Sequence, residues 1–296
     1  MKKLKQTIGE IKALLPETTN ELERLLWPYI CYSPKMPLRL AQEQLLQGAE
    51  KTSLKVNDDY FACKELSFTT FKWGCGKHKL LLTHGWGSKA ADFSEVITAL
   101  LPIEDLEIIA FDAPGNGSSE GELSNLLLFT QAVQAIISHY GVPDVIIGHS
   151  LGAMANVMAL REMQVTSSLL ISITPLVKLK ENFEASMNAI DIPDAAQSAF
   201  LKSFEEKFGV SASHFTLDNW YNFGQALDHR VIFDSADSIS PYLYLKNFLT
   251  AHPYIKATNY EGTGHDKAIK SPAIVTEISE LVGSNVKPMA KVKNQQ

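Results

Sequence analysis

Cysteine is scarce in this chain. The 296 residues include three cysteines, Cys31, Cys63 and Cys75, and no two of them form a Cys-x-x-Cys pair. An odd number without such pairs argues against a disulfide framework and against a cysteine-ligated zinc site. The pattern predicts reduced thiols in a reducing compartment. We therefore expect a cytoplasmic protein.

Long apolar runs and an excess of positive charge are also missing. Lys and Arg number 27 against 33 Asp and Glu, a formal net charge of −6. This balance argues against nucleic acid as the main partner, because phosphate binding needs a basic surface. No run approaches the roughly 20 apolar residues that span a bilayer. The lysines of residues 1–5 precede no apolar segment, so we expect neither a signal peptide nor stable membrane insertion.

The sequence does contain an alternation of apolar strands and helical stretches. Hydrophobic residues make up 45% and charged residues 20%, as in a globular protein with a sizeable core. Strands are predicted over residues 53–56, 66–73, 80–83, 106–111, 144–147, 168–174, 230–234 and 255–260. Helices are predicted over residues 92–101, 125–140, 151–163, 241–251 and 273–282. Apolar strands separated by helices predict an α/β fold with a mostly parallel, doubly wound sheet.

The alternation is interrupted once and is preceded by a separate helical segment. Residues 178–225 have no strand pattern, and their composition predicts two or three inserted helices that form a cap. The predicted core therefore comprises residues 31–177 and 226–284. A helical arm is predicted over residues 1–30, and a loose polar tail over residues 285–296.

The arm is predicted to contain two helices. The first places Leu4, Ile8, Ile11 and Leu15 on one face, and the second is expected to stop before Pro28. Most amphipathic helices bury such a face, so we expect the arm to pack on the domain or on another subunit. Homo-oligomerisation through the arm therefore stays open. Contact of its lysines with a membrane surface is a less favoured alternative.

The most specific feature is the motif Gly-x-Ser-x-Gly at residues 148–152. It follows an apolar run and precedes the predicted helix 151–163. Between a strand and a helix, this motif is typical of a nucleophile elbow, whose sharp turn raises the serine hydroxyl above the sheet. A side chain at Gly148 or Gly152 would collide with the neighbouring strand or helix. The motif therefore predicts Ser150 as a nucleophile.

A second motif, His84-Gly85-Trp86-Gly87, directly follows the predicted strand that ends at residue 83. Acyl-transfer enzymes with an elbow aim two backbone N–H groups at the oxyanion of the tetrahedral intermediate. One comes from the residue after the nucleophile and the other from the loop after an early strand. These positions are Leu151 and Trp86, which we predict to form an oxyanion hole. The alternative is a glycine-rich turn without chemistry.

An acid and a base are expected downstream, in the order Ser, Asp or Glu, His. Asp237 and His265 fit that order, and each lies in a loop just after a predicted strand, where doubly wound sheets place ligands. His265 would take the proton of Ser150, and Asp237 would orient the imidazole. Asp234 is a competing acid, but we place it at the strand end and prefer Asp237. The loop 174–177 offers no acid.

The other polar residues near these motifs are assigned no chemistry. Asp112 lies in a loop rich in proline and glycine, which predicts a turn-shaping role. His84 and His149 flank the site and are expected to pack or to orient it. No cluster of His, Asp or Glu has metal-ligand spacing. The sequence therefore predicts no metal and no cofactor.

In combination these motifs resemble the α/β-hydrolase superfamily, over about residues 50–283. The resemblance is carried by segments 84–87, 148–152, 234–241 and 261–265. The chain looks most like small bacterial carboxylesterase-like serine hydrolases. The resemblance implies an α/β-hydrolase fold with a helical cap, catalytic roles for Ser150, Asp237 and His265, and oxyanion roles for Trp86 and Leu151. A serine nucleophile argues against epoxide hydrolases and haloalkane dehalogenases.

The function expected from this resemblance is cleavage of a carboxylic ester of a small or medium acyl group through an acyl-enzyme. The same three residues would serve a thioesterase, lysophospholipase, aminopeptidase or acyltransferase, and a non-catalytic ligand-binding homologue is a further alternative. Aromatic residues of the cap would make the pocket apolar if they face Ser150. The i, i+4, i+8 spacing of Phe200, Phe204 and Phe208 instead favours burial in the cap's own core.

Overall fold

One eight-stranded sheet runs through the computed structural model, which describes residues 2–15 and 20–286. The strands are β1 (Glu50–Asp58), β2 (Lys64–Trp73), β3 (His78–Thr83), β4 (Leu106–Asp112), β5 (Val145–His149), β6 (Leu169–Ile173), β7 (Asp228–Phe233) and β8 (Lys256–Asn259). Their order is β1-β2-β4-β3-β5-β6-β7-β8. β2 pairs antiparallel with β1 and β4, and all other neighbours in this sheet are parallel. The predicted α/β class with a mostly parallel sheet is confirmed.

The strand order reverses at β3, which lies between β4 and β5. Chain connections therefore leave β3 and β5 in opposite directions across the sheet, which opens a crevice at their carboxyl ends. Thr83 of β3 lies opposite Gly148 of β5 in the register. The loops that follow these two strands thus begin side by side, and they carry both glycine-containing motifs.

Helices cover both faces of the sheet. Their bounds are α1 (Lys2–Leu14), α2 (Asn20–Cys31), α3 (Leu40–Gln47), α4 (Ser94–Leu100), α5 (Leu126–Tyr140), α6 (Leu151–Met163), α7 (Leu179–Asn188), α8 (Asp194–Phe208), α9 (Leu217–Trp220), α10 (Tyr242–Ala251) and α11 (Pro272–Val286). Successive strand residues face opposite sides. Leu81 and Ile146 pack in the core beneath α5 and α6, whereas Leu80 and Val145 pack beneath α4 and α11. No helix among the described residues is long and apolar enough to cross a membrane.

The arm contains α1 and α2, but the predicted end of the second helix before Pro28 is wrong. α2 continues to Cys31 with Pro28 inside it. Proline has no N–H to donate to the preceding turn, and the helix nevertheless continues, because the Tyr32 N–H donates to the Pro28 carbonyl and Leu22 and Leu26 are fully buried. Tertiary packing therefore outweighs the local preference of the proline.

The apolar face of the arm packs on the cap of the same chain. Ile11, Leu22 and Leu26 form one buried cluster with Met187 and Phe200 of α7 and α8. The sequence left open whether the arm packs on its own domain or on another subunit, and the structure places it on its own domain. Homo-oligomerisation through the arm stays a prediction. The apolar face of the arm no longer supports it, because that face is already buried against the cap.

Two further elements differ from the sequence-based expectation. α3 has no counterpart among the predicted helices, since its eight residues have weak periodicity. α11 continues to Val286 and buries that side chain, past the predicted end at residue 282. Residues 285 and 286 are therefore helical and do not belong to a loose tail. The remainder of the predicted tail, residues 287–296, lies outside the described residues.

Candidate active site

Ser150 lies in a sharp turn between β5 and α6. Its backbone has φ 53° and ψ −121°, in the region that side chains other than glycine rarely adopt. The Ser150 N–H donates to the Ile173 carbonyl at 3.0 Å, and the Ser150 carbonyl accepts from the Leu176 N–H at 3.1 Å. These two hydrogen bonds to β6 and the loop after it hold the strained turn in place, as expected for a functional site whose surroundings fix its backbone.

The two glycines of the motif are required by close approach. A Cβ added at Gly148 would lie 2.5 Å from the Ala153 Cα, and one added at Gly152 would lie 2.4 Å from the His84 carbonyl oxygen. Both distances are far shorter than a van der Waals contact. The turn is therefore tight enough to raise the Ser150 hydroxyl at the head of α6, as the motif predicts.

The structure brings Ser150, His265 and Asp237 into one line of hydrogen bonds. The His265 Nε2 lies 2.8 Å from the Ser150 Oγ, and the His265 Nδ1 lies 2.7 Å from the Asp237 Oδ2. All three residues are buried. Asp237 follows β7 and His265 follows β8, so loops after neighbouring parallel strands deliver both side chains to the rim that holds Ser150.

The surroundings of Asp237 favour its charged form. Its Oδ1 accepts hydrogen bonds from the backbone N–H groups of Ile239 at 2.8 Å and of Ser240 at 3.1 Å. Burial opposes ionisation, but the hydrogen bond from His265, its charge and these two N–H donors outweigh it. The pKa of Asp237 therefore lies below its ordinary value, and the carboxylate is available to orient the imidazole and to stabilise its protonated form.

Asp234, the competing acid, has a different set of partners. Its Oδ1 accepts from the Ala236 N–H at 2.9 Å and its Oδ2 from the Gly264 N–H at 2.7 Å. These donors, Gly264 first, lower the pKa of the Asp234 carboxyl. Asp234 follows the last residue of β7 and ties the loop of Asp237 to that of His265. Its side chain thus supports the loops but makes no hydrogen bond to the His265 ring.

His84 fixes the loop that carries Trp86. Its Nδ1 donates to the Gly85 carbonyl at 2.7 Å, and its Nε2 accepts from the Ala113 N–H at 3.0 Å. This pattern requires a neutral ring. Full burial lowers the pKa of His84 and keeps it in that form. The histidine therefore links the loop after β3 to the loop after β4, which is a structural role.

Asp112 at the end of β4 organises the neighbouring loop, the role its sequence context predicts. Its Oδ1 accepts from the Ala90 N–H at 2.8 Å, and its Oδ2 from the N–H and hydroxyl of Ser118 at 2.7 and 2.8 Å. A Cβ added at Gly117 would lie 2.2 Å from the same carboxylate. With its oxygens occupied in this way, Asp112 is not available as a catalytic carboxylate.

Trp86 and Leu151 line the same cavity as Ser150 and His265. Leu151 is the first residue of α6, where a backbone N–H has no acceptor within its own helix. Trp86 lies in the loop after β3. Within residues 2–15 and 20–286, neither the Trp86 N–H nor the Leu151 N–H donates to a backbone carbonyl of a turn or loop. An oxyanion hole requires two such donors, and the assignment of this role to Trp86 and Leu151 stays a prediction.

His149 has a partner that the sequence did not reveal. Its Nε2 donates to the backbone carbonyl of His265 at 3.1 Å. Burial, followed by repulsion from the charge of His265, lowers the pKa of His149 to about 3. A neutral His149 thus supports the backbone of His265 from the residue preceding Ser150. The Gly-x-Ser motif marks this position, but the carbonyl lies 116 residues away in the sequence.

Buried neutral histidines predict a loss of stability in mild acid. The pKa of His149 and that of His229 each fall to about 3, chiefly through burial, from an ordinary value of 6.5. Below pH 6.5 the unfolded chain binds protons that the folded protein does not, so the free energy of unfolding falls as the pH drops towards 3. Each such histidine contributes up to about 1.4 kcal/mol per pH unit to that slope.

The variant His229→Gln separates this effect from the titration of carboxyl groups. Glutamine keeps a donor for Ser172, whose hydroxyl lies 2.9 Å from the His229 Nε2, but it does not titrate. We expect urea unfolding between pH 6 and 4.5 to show a shallower fall in stability for this variant than for the unmodified chain. Parallel curves for the two proteins would contradict the expectation.

A cavity of about 440 Å³ opens over Ser150, within the size range of small-molecule sites. Phe183, Phe204, Phe208 and Phe215 of the cap line it. Phe204 and Phe208 are buried among other cap aromatics, as the sequence-based preference for burying the cap stripe expects, and both also contribute to the cavity wall. The preference also fits Phe200, which is fully buried between the cap and the arm.

One group of potential metal ligands lies at the edge of the site. Ligand atoms of His149, His265 and Asp266 lie within 4.8 Å of one another. Spacing along the chain could not indicate this group, because His149 ends β5 whereas His265 and Asp266 lie in the distant loop after β8. The ring nitrogens of His265 are already engaged by Ser150 and Asp237. A metal bound to His265 would therefore compete with one of those hydrogen bonds.

A family model and several curated proteins are similar in sequence to parts of this chain. The profile described as "Alpha/beta hydrolase family" matches residues 80–272, well over half of the chain. A monoglyceride lipase from Rattus norvegicus is 29% identical over 112 residues, which cover 35% of this chain and 37% of that protein. The match thus spans little more than a third of that relative's length.

Solved structures share the fold. An esterase from Pyrococcus furiosus has a TM-score of 0.58 and 18% identity, with 86% of this chain and 96% of that one covered. A putative hydrolase from Agrobacterium vitis has a TM-score of 0.61 and 14% identity, with 81% and 99% covered. At these identities the likeness extends to the arrangement of the sheet and its helices.

Proposed function

This chain belongs to the α/β-hydrolase family of enzymes, and on that premise we propose that it cleaves the carboxylic ester of a small or medium acyl group through an acyl-enzyme on Ser150. The observation that carries the proposal is the line of hydrogen bonds from Asp237 through His265 to the Ser150 hydroxyl, 2.7 and 2.8 Å long. This line ends at an apolar cavity. A nucleophile in contact with a base that is oriented by a carboxylate is the arrangement that activates a serine.

In the first half of the proposed reaction, the Ser150 Oγ attacks the ester carbonyl carbon while its proton passes to the His265 Nε2. The carbonyl oxygen becomes an oxyanion, which receives hydrogen bonds from the N–H groups of Trp86 and Leu151. Collapse of the tetrahedral intermediate breaks the bond to the leaving alcohol. His265 donates its proton to that alcohol, and the acyl group remains on Ser150.

In the second half, a water molecule attacks the acyl-enzyme and transfers a proton to His265. The second tetrahedral intermediate uses the same two N–H donors. It collapses to release the carboxylic acid, and the proton returns from His265 to the Ser150 Oγ. Asp237 keeps the imidazole in the tautomer that presents an unprotonated Nε2 to the serine. His265 thus mediates every proton transfer in the cycle, and the two backbone donors stabilise the oxyanions.

The acyl group is the part of the substrate that the site describes best. Aromatic side chains of the cap provide an apolar wall near Ser150, which suits a hydrocarbon chain. The similarity to monoglyceride lipases makes a glycerol monoester the first natural substrate to test. Thioesters, lysophospholipids, aminoacyl amides and acyl transfer to another alcohol would use the same three residues, so a panel of these substrates distinguishes them.

Labelling with a fluorophosphonate tests whether Ser150 is activated. We expect one adduct per folded chain, mapped by peptide mass spectrometry to the peptide that contains Ser150. Denatured protein is the control, because labelling depends on the contact between His265 and Ser150. Folded protein that takes up no probe would favour a non-catalytic binding protein, and an adduct on a different serine would displace Ser150 from the proposal.

A cytoplasmic location is also proposed. Its support is the content of three cysteines, which are free thiols: Cys31 is buried, and Cys63 and Cys75 are exposed. Exposed free thiols are typical of reducing compartments. Fractionation of cells that express the chain, with alkylation of thiols before lysis, would test both the location and the redox state.

A further inference from the structure

The wall of the cavity over Ser150 includes a part of the chain that lies outside the hydrolase core. Six residues of the N-terminal segment line the cavity together with the cap: Leu4, Tyr29, Ile30, Cys31, Tyr32 and Pro34. Most of these side chains are apolar or aromatic. The resemblance to the hydrolase superfamily begins only at about residue 50 and the matched family model at residue 80, so neither accounts for this part of the cavity wall.

The arm is fixed to the cap at the point where it reaches the cavity. The Tyr29 hydroxyl donates to the Ser186 carbonyl of α7 at 2.7 Å. The ring of Trp27 packs against Phe200 at 4.9 Å between centroids, and the Lys207 ammonium lies 5.5 Å from the centre of the same ring. Contacts from the cap helices α7 and α8 therefore set the position of α2.

The end of α2 and the segment after it are fixed to the core. The Ser124 N–H donates to the Cys31 carbonyl at 2.8 Å, and the Ser33 hydroxyl donates to the Asn116 side chain at 2.5 Å. The arm is thus held by the cap on one side and by the loops after β4 on the other. Residues between these two anchors, Ile30 above all, are held in place at the cavity wall and do not form a loose flap.

We propose that the N-terminal arm forms the outer wall of the acyl-binding site and that Ile30 limits the length of the acyl chain the enzyme accepts. The proposal rests on the function proposed above. Ile30 is half-buried and lines the cavity with an apolar side chain, whereas Tyr29 is engaged in anchoring the arm. A hydrocarbon chain that extends from Ser150 along the cap aromatics would meet α2, because Ile30 and its neighbours in α2 line the same cavity.

A change in the size of residue 30 tests the proposal. Ile30→Trp should lower the ratio of kcat/KM for p-nitrophenyl octanoate to that for p-nitrophenyl acetate by about tenfold or more, since a single methylene misfit in an apolar pocket has effects of that size. Ile30→Ala should raise the ratio. It serves as the second variant if the tryptophan protein does not fold. Arg24→Trp is the matched control, because Arg24 is exposed on the same helix, and its ratio should stay within about twofold of the unmodified enzyme.

The ratio decides the proposal wherever the chain hydrolyses esters. An unchanged ratio in both Ile30 variants would overturn the role of the arm and leave the chemistry of Ser150 intact. If the chain hydrolyses no ester, the affinity for decanoate decides instead. Calorimetry would compare the Ser150→Ala protein with the double variant that also carries Ile30→Trp. Weaker binding in the double variant would uphold the arm while the hydrolytic function fails, and equal binding, or none, would overturn the arm as well.

Discussion

Ser150→Ala is expected to lower kcat for a p-nitrophenyl ester by about 10⁴- to 10⁶-fold, the loss that follows removal of an activated serine. The reason is that no other nucleophile would replace the Oγ that lies 2.8 Å from His265. The two N–H donors and the cavity remain in the variant, so a residual rate above that in water is also expected. Steady-state kinetics on several milligrams of variant protein would resolve a loss of this size.

Ser124→Ala is the matched control for this experiment. Ser124 lines the same cavity, and its hydroxyl accepts from the Asn116 side chain at 3.3 Å, but it makes no contact with His265. Its activity should stay within about tenfold of the unmodified enzyme. Comparable turnover by Ser150→Ala and the unmodified chain would refute the acyl-enzyme route. Equal losses in Ser150→Ala and Ser124→Ala would point to damage of the cavity and not to chemistry.

Local sequence patterns and the order of strands along the chain are sufficient to locate Ser150, the loop 84–87, Asp237 and His265. The elbow around Ser150 depends on glycines at fixed offsets, because the turn admits no side chain at Gly148 or Gly152. The loop 84–87 can be located for a similar reason, as it directly follows a buried strand. Asp237 and His265 follow from their order along the chain and from the rule that ligands gather beyond the carboxyl ends of parallel strands.

Contacts between distant segments could not be read from the sequence. Nothing near Pro28 indicates that α2 continues through it, since the stabilising contacts come from Met187 and Phe200 in the cap. The hydrogen bond from His149 to the backbone of His265 has no signature, because every residue carries a carbonyl. The position of the arm at the cavity has the same origin. It depends on how the arm helices pack on the cap, which lies more than 150 residues further along the chain.

The choice between Asp237 and Asp234 shows what position alone can and cannot decide. The sequence favours Asp237 because it places Asp234 at the end of a strand, and the structure ends β7 one residue earlier, at Phe233. Both carboxylates accept two or more hydrogen bonds from loop groups, and both have a lowered pKa. Only the contact of Asp237 with the His265 ring distinguishes them. We therefore expect substitutions of the two aspartates to have different effects on catalysis.

Asp237→Asn should lower kcat by about 10⁴-fold, as expected when the acid of such a triad becomes an amide. The oxygen of the new amide would keep the N–H groups of Ile239 and Ser240 as donors, which leaves the amide NH₂ facing the His265 Nδ1. The imidazole would then carry its proton on Nε2, where it points at the Ser150 Oγ and cannot accept a proton. The rate of fluorophosphonate labelling should fall with kcat, while the melting temperature stays close to that of the unmodified chain.

Asp234→Asn is the matched control, three residues earlier in the same loop. An amide there would lose one of the hydrogen bonds from Ala236 and Gly264, which should lower the melting temperature and reduce kcat by about tenfold or less, because the tautomer of His265 is untouched. The expected contrast is therefore a large kinetic loss without a stability loss at Asp237, and the reverse at Asp234. Equal kinetic losses in the two variants would mean that Asp237 only shapes the loop, and a larger loss at Asp234 would make Asp234 the acid.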